Sequence, residues 1–221
     1  MDPRITPVDS SMLYYYVAVG TLSSLVFFYW SLDLHYFLRL GIVYVNARLF
    51  KKKSHILDNL KVAGICLTTD VDHLLTHMNN ARFLREIDFA RADFYQRTGL
   101  YGAIRSKGGS VCQGSSTIRY RKFIPLFSIY HIQSKVIYWD SSNIYMEHRF
   151  ISPGDEFVRA IAICKQRVLN VDVEDIMRNL MSTEKCPGGP EAGHSKPEIP
   201  LDLLRWMECN EISSANLRNG C

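Results

Sequence analysis

Apolar and polar positions follow three different periods along this chain, and each period predicts a different kind of element. From Ser10 to Leu32 no side chain is charged, and Asp9 and Asp33 bracket the run. Its 23 residues exceed the roughly 20 that a helix needs to cross the hydrocarbon layer of a bilayer. Tyr14, Tyr15, Tyr16, Tyr29 and Trp30 lie towards its two ends, where amphipathic rings favour the membrane–water interface. From Leu34 to Phe50 the chain stays apolar-rich but carries Arg39 and Arg48, and Lys51, Lys52 and Lys53 follow. That stretch predicts an amphipathic continuation lying in the interface rather than a second span.

The second period is helical. Phe83, Ile87, Ala90 and Phe94 recur at steps of four, three and four between Asn79 and Thr98, with charged side chains on the other faces. Asn79 or Asn80 suits the N-cap, and Gly99 the stop. The third period is that of strands. A Gly/Ser-rich stretch from Ser106 to Ser116 predicts a loop before a short strand from Thr117 to Tyr120. Ser128–Trp139, Ile144–Ile151 and Glu156–Leu169 predict longer strands, joined by turns at Asp140-Ser141-Ser142 and Pro153-Gly154-Asp155. Such tight connections imply an antiparallel meander. Asp172 caps a short helix through Leu180, Ser182–Pro200 predicts a linker, and Leu201–Cys209 a short terminal helix. One long helix followed by a long-stranded sheet is an α+β arrangement. The expected domains are an anchor with its basic flank (1–53), a folded domain (54–180) and a linker with a terminal helix (181–221).

Composition narrows the function classes. In 221 residues, 12% aromatic content and 22% charge exclude collagen-like, coiled-coil and wholly disordered chains. A net charge of +4 is too weak for a dedicated nucleic-acid binder, so no nucleic-acid partner is expected. The six cysteines are scattered without a C-x-x-C pair, which argues against a zinc site and for reduced thiols. Cys221 ends no C-a-a-X pattern.

Charge also orients the apolar run. The basic residues follow it, while Asp2 and Asp9 offset Arg4 before it, so the positive-inside bias places the bulk of the chain in the cytosol. The competing reading is a signal peptide cleaved from a secreted protein, although an acidic start without a small-residue cleavage site fits it poorly. Lys51 to Lys53 meet anionic headgroups or stop translocation.

The informative block runs from Thr69 to Phe83: T-D-V-D-H-L-L-T-H-M-N-N-A-R-F. It sets two carboxylates and two histidines in a loop that feeds a helix start, whose exposed N–H groups can stabilise an oxyanion. A carboxylate there serves as nucleophile or general base. The plainer alternative is that Asp72, Asn79 and Asn80 cap the helix and shape a turn. No G-x-S-x-G elbow or phosphate loop is present, and no glutamate follows His73 as a metal pair with His77 demands. His131 and His148 lie in strand-like runs and read as structural. Arg119, Arg121 and Lys122 read as a solvated strand edge, with a cofactor phosphate as the alternative.

The D-x-D block followed by H-M-N-N-A-R-F-L-R-E-x-D-F-A-R resembles the hot-dog-fold acyl-thioester hydrolases of the 4-hydroxybenzoyl-CoA thioesterase-like group. More closely, nearly the whole chain is similar to the thioesterase superfamily member six family. The resemblance implies a hot-dog fold, in which an antiparallel sheet wraps a long helix. It also implies a homodimer with acyl-thioester pockets between subunits. Matched residue by residue, Asp72 takes the place of the catalytic carboxylate, and His77 and Asn79 those of the histidine and asparagine around which related plant enzymes build their site. Asn80 and Asp70 stand as substrate-binding candidates. Common forms place three residues between the aspartate and the histidine, whereas His73, Leu74, Leu75 and Thr76 make four here, which leaves open whether Asp72, Asp70 or His73 faces the thioester. The resemblance thus implies hydrolysis of a fatty acyl-CoA thioester at a membrane, the endoplasmic reticulum in particular, without cofactor or metal. The alternative is a catalytically silent membrane-anchored protein that binds acyl chains or lipid and regulates membrane lipid homeostasis.

Overall fold

The structure is a computed structural model that describes residues 10–182 and 195–220. The expected acidic flank at Asp2, Arg4 and Asp9, most of the expected linker, Cys186 and Cys221 lie outside the described residues. The chain divides into two compact units, the second beginning at Tyr44.

The first unit holds α1 (Ser10–Ser31) and the first turns of α2 (Leu34–Leu49), separated at Asp33, where φ is +48°. No residue of α1 is buried, and the helix is long and apolar enough to span a membrane or to act as a signal sequence. Its Thr21, Ser24 and Ser31 hydroxyls each donate to the carbonyl four residues back at 2.8 Å. That internal bond lets a hydroxyl sit in an apolar run without an open donor.

In the second unit five strands form one antiparallel sheet in the order β1-β3-β4-β5-β2. They are β1 (Leu60–Ile65), β2 (Ser110–Tyr120), β3 (Ile129–Trp139), β4 (Asn143–Ile151) and β5 (Val158–Leu169). The expected meander is β3-β4-β5, and β1 and β2 extend its two edges. Against expectation β2 begins at Ser110, inside the Gly/Ser-rich stretch. A poor intrinsic strand former is overridden there by pairing along the whole of β5, with one irregularity between Gln113 and Ser115.

Helix α3 (Asn80–Thr98) packs against the sheet. It is capped by the Asn79 side chain, which accepts from the Ala81 amide, and is stopped by Gly99 at φ +76°. Phe83, Ile87, Ala90 and Phe94 are all buried, as their spacing predicts. Phe83 meets Phe150 and Tyr120 edge-on, with ring centroids 4.8 and 5.2 Å away. The apolar fill falls into two clusters, one around Phe83, Ile87, Tyr130 and Phe150, the other around Phe94, Val136, Trp139 and Ile144. Ser134 of β3 faces His148 of β4, their side chains 2.8 Å apart (Oγ to Nδ1) and fully buried. Burial, and then the charge of Arg91, pushes the His148 pKa down to about 3, so it is neutral in the fold.

Three shorter helices complete the unit. α4 (Leu100–Ser106) extends the chain beyond Gly99 and was not legible as a helix. α5 (Val173–Met181) is capped by Asp172, as predicted. α6 (Leu201–Arg218) runs well past Cys209, because no glycine or proline interrupts it before Gly220. The basic flank also finds partners within the fold. Lys51 pairs with the buried Asp93 at 2.6 Å, and Lys53 donates to the Gln96 carbonyl at 2.7 Å. Arg97 reaches back to the Lys52 carbonyl and the Ser54 hydroxyl. A buried carboxylate needs a partner more than a solvated lysine needs a headgroup, and this draws the flank onto the end of α3. Cys66, Cys112, Cys164 and Cys209 are free thiols, and burial raises the first and third to about 11.

Candidate functional site

The loop between β1 and α3 separates two aspartates that sit two residues apart. Asp70 turns inward and is 4% exposed. Its carboxylate accepts from the Leu67 amide at 3.0 Å and lies 3.5 Å from the Arg82 guanidinium, which also donates to the Thr69 carbonyl. The Asp70 carbonyl takes the Asn79 amide at 2.8 Å. Asp70 therefore ties the turn to the first turn of α3.

Asp72 belongs to a miniature hairpin, in which Val71 bridges Met78. Its amide donates to the His77 carbonyl at 2.9 Å, and its carboxylate accepts from the Thr76 amide at 3.3 Å. The His77 Nδ1 stands 3.9 Å from that carboxylate and 2.7 Å from the Thr76 hydroxyl. The longer Asp72–His77 spacing is absorbed at the hairpin tip, where Leu75 adopts φ +57°. Loss of solvent works to raise the Asp72 pKa. The Thr76 amide, the His77 charge and the His77 and Leu74 amides outweigh it, leaving the carboxyl below its ordinary range and ionised at neutral pH.

Beside this hairpin lies a cleft of about 270 Å³. His77, Met78, Asn80 and Phe83 form one wall, and Tyr120, Arg121, Lys122 and Phe123 the other. The walls are fastened together by the Tyr120 hydroxyl, which donates to the Asn80 carbonyl at 2.8 Å, and by contact of the His77 and Phe123 rings at 5.4 Å. Partial burial raises the Tyr120 pKa, keeping the phenol protonated as a donor. Arg121 and Lys122 lie over the Phe157 ring, 4.8 and 5.6 Å from its centroid.

Of the sequence candidates, the structure brings together Asp72, His77 and Asn80 around this cleft. Neither aspartate is among the lining residues, and Asp72 adjoins the cleft only through His77. Asn79 caps α3 through its side-chain oxygen, and its backbone amide is given to the Asp70 carbonyl. His73 is exposed at the hairpin. Sequence reasoning missed Tyr120 and Phe123 as a wall of the site. Their aromatic character at the end of a strand was the available signal, but only pairing of β2 with β5 brings them to the start of α3. Among the described residues no group of three histidine, cysteine, aspartate or glutamate side chains is placed to hold a metal ion.

Residues 66–207 match the model of the thioesterase-like superfamily. Protein THEM6 of Drosophila melanogaster is 42% identical over 186 residues, covering 84% of this chain and 91% of that one. Protein THEM6 of Xenopus laevis is 33% identical over 207 residues, covering 94% of each. Among solved structures, the probable thioesterase YbaW of Escherichia coli aligns with a TM-score of 0.51 at 17% identity, over 55% of this chain and 96% of its own. The 1,4-dihydroxy-2-naphthoyl-CoA thioesterase Slr0204 of Synechocystis aligns at 0.50 and 9% identity, over 59% of this chain and all of its own. At these identities the two structures establish a shared hot-dog fold.

Proposed function

The chain belongs to the thioesterase-like superfamily, in the family of the THEM6 proteins, and on that premise we propose that it hydrolyses fatty acyl-CoA thioesters at a membrane surface. The observation that carries the reading is the ionised Asp72 carboxylate 3.9 Å from His77, the residue through which it adjoins a cleft that opens at the start of α3. Asp72 takes a proton from water as the water oxygen bonds to the thioester carbonyl carbon, or bonds to that carbon itself to give an acyl anhydride that water then cleaves to the free acid. The oxyanion then faces the amide end of α3 at Asn80, where the helix dipole favours negative charge. The carbon–sulfur bond breaks, and the leaving sulfur takes up the proton released from water, so that the thiol and the acid depart. His77, held through Nδ1 by Thr76, orients the reacting groups from the cleft wall. Asn79 contributes as the cap that fixes where α3 begins.

Two further elements complete the proposal. The first is a homodimer. β2 pairs with β5 along one side only, and an eleven-residue strand with an open edge invites a second copy about a two-fold axis. The second is location. α1 anchors the chain in the endoplasmic reticulum with the folded unit on the cytosolic side, supported by the basic residues that follow the apolar run.

One observation favours a second reading. The Asp72 carboxylate accepts from the Thr76 amide and does not itself line the cleft. A silent protein that holds acyl chains and regulates membrane lipid composition has the same fold and the same cleft. The two readings separate when the full chain in detergent micelles is offered acyl-CoAs of short, medium and long chain and free thiol is followed. A non-hydrolysable thioether analogue is titrated in parallel. Thiol release supports the hydrolase. Tight binding of the analogue with no thiol from any chain length supports the silent protein.

A further inference from the structure

Two loops, one between β1 and α3 and one between β2 and β3, meet beside the cleft and expose large apolar side chains: Leu74, Leu75, Phe123, Phe127 and, at the start of β3, Ile129 are each between 55 and 64% exposed. The loops are fastened to one another, not splayed. The Leu126 amide donates to the Thr76 carbonyl, the Phe127 amide to the Cys66 carbonyl, and His77 bridges Pro125. Leu75 and Phe127 are held outward with φ of +57° and +60°, a conformation disfavoured for any residue with a Cβ. Backbone strain is thus spent on keeping apolar side chains in water, the reverse of what folding alone would select. Across 121–129 the only charged side chains are Arg121 and Lys122, next to Phe123. The same chain carries α1, a helix with the length and composition to hold it at a bilayer.

We propose that these loops form a docking surface for an anionic lipid leaflet, with Leu74, Leu75, Phe127 and Ile129 seated at the acyl boundary and Arg121 and Lys122 among the headgroups. Tethering by α1 makes the encounter intramolecular, so modest apolar area and two cations suffice. The surface deepens the membrane reading above and rests on it. Because His77 and Phe123 lie on both the surface and the cleft wall, an acyl chain leaving the leaflet arrives beside Asp72 without crossing water.

The test uses the full chain with Trp30→Phe, which removes the tryptophan of α1, reconstituted into phosphatidylcholine vesicles with and without phosphatidylserine. This parent keeps Trp139 and Trp206, and its emission is subtracted as background. Phe127→Trp places a reporter in the loops. Ile212→Trp places a control on α6, which lies towards the Trp139 end of β3, away from Ile129. With lipids brominated in the acyl chain, the loop reporter is quenched, more strongly when phosphatidylserine is present, and the α6 reporter is not. Equal behaviour of the two reporters overturns the proposal. So does a loop reporter shielded from acrylamide yet untouched by brominated lipid, which would assign the patch to a second copy of the chain. The double variant Leu75→Asp, Phe127→Asp loses turnover of vesicle-borne long-chain thioesters but keeps turnover of a short, water-soluble one. Quenching without any turnover retains the docking surface and removes the hydrolase, whereas turnover without quenching does the reverse.

Discussion

Two aspartates of identical chemistry, two residues apart, have opposite fates in this chain, and the difference lies in what surrounds them. Asp70 is enclosed and bound to the Leu67 amide and Arg82, whereas Asp72 is partly open beside His77. Asp70→Asn therefore costs roughly 1–3 kcal/mol, because the new amide group faces the Leu67 N–H and leaves Arg82 unbalanced. Asp72→Asn costs less, because the amide oxygen still accepts from the Thr76 N–H and only the interactions that favour the charge are lost, and urea midpoints of the two variants check the contrast. The depressed Asp72 pKa adds a kinetic expectation. The acid limb of the pH profile of kcat/KM lies below the ordinary carboxylate range, since the base keeps its charge until the pH falls past its own lowered value. His148 behaves in the opposite sense. Its pKa in the fold is about 3 against an ordinary 6.5, so between those values the unfolded chain binds a proton that the folded chain refuses. Stability from this site is complete above the upper value and falls as pH drops towards the lower. His148→Gln flattens that part of the acid sensitivity, as melting temperatures measured across the interval show. The D-x-D, His77 and Asn79-Asn80 positions were legible as a candidate site because a loop feeding a helix is a local pattern. Which aspartate turns inward was not, because it depends on the distant packing of the turn against α3.

Among the helices and strands, those specified by nearby residues were legible. The span of α3 follows from its apolar period and its two end signals, Asn79 and Gly99, all within twenty-odd residues of chain. β3, β4 and β5 follow from alternation and tight turns. β1 and the first half of β2 do not, because neither alternates strongly and each exists through a partner strand far along the chain. The contacts of the basic flank were not legible for the same reason, since Asp93 is invisible as a partner until α3 is folded and buried. The N-cap yields a prediction that also separates structure from chemistry at Asn79. Asn79→Ala destabilises by about 1 kcal/mol, while Asn79→Ser keeps the cap and with it both stability and thioester turnover. If Asn79→Ser is as stable as the parent chain yet inactive, the asparagine has a part in the chemistry beyond capping.

For the molecule as a whole, the sheet, its open β2 edge, the cleft and the apolar N-terminal helix are the parts that the proposed membrane-held hydrolase would use. The hot-dog architecture was legible because the long block from Asp70 to Arg91 carries both the helix and the site that define the family's pattern. A homodimer is implied only by that resemblance, as a strand edge gains meaning from its partner, and it stands as a proposal. Sedimentation of the detergent-solubilised chain, with bound detergent matched in density, gives twice the chain mass if β2 pairs across a two-fold axis, and the single-chain mass if it does not. In the proposed mechanism hydrolysis turns on Asp72, and one comparison isolates it: turnover of a long-chain acyl-CoA by Asp72→Asn, measured beside Asp70→Asn and beside binding of the thioether analogue. If Asp72 is the base or nucleophile, Asp72→Asn binds the analogue as the parent does and releases no thiol, while the fraction of Asp70→Asn that remains folded still turns over. Full turnover by a folded Asp72→Asn chain would remove Asp72 from the reaction.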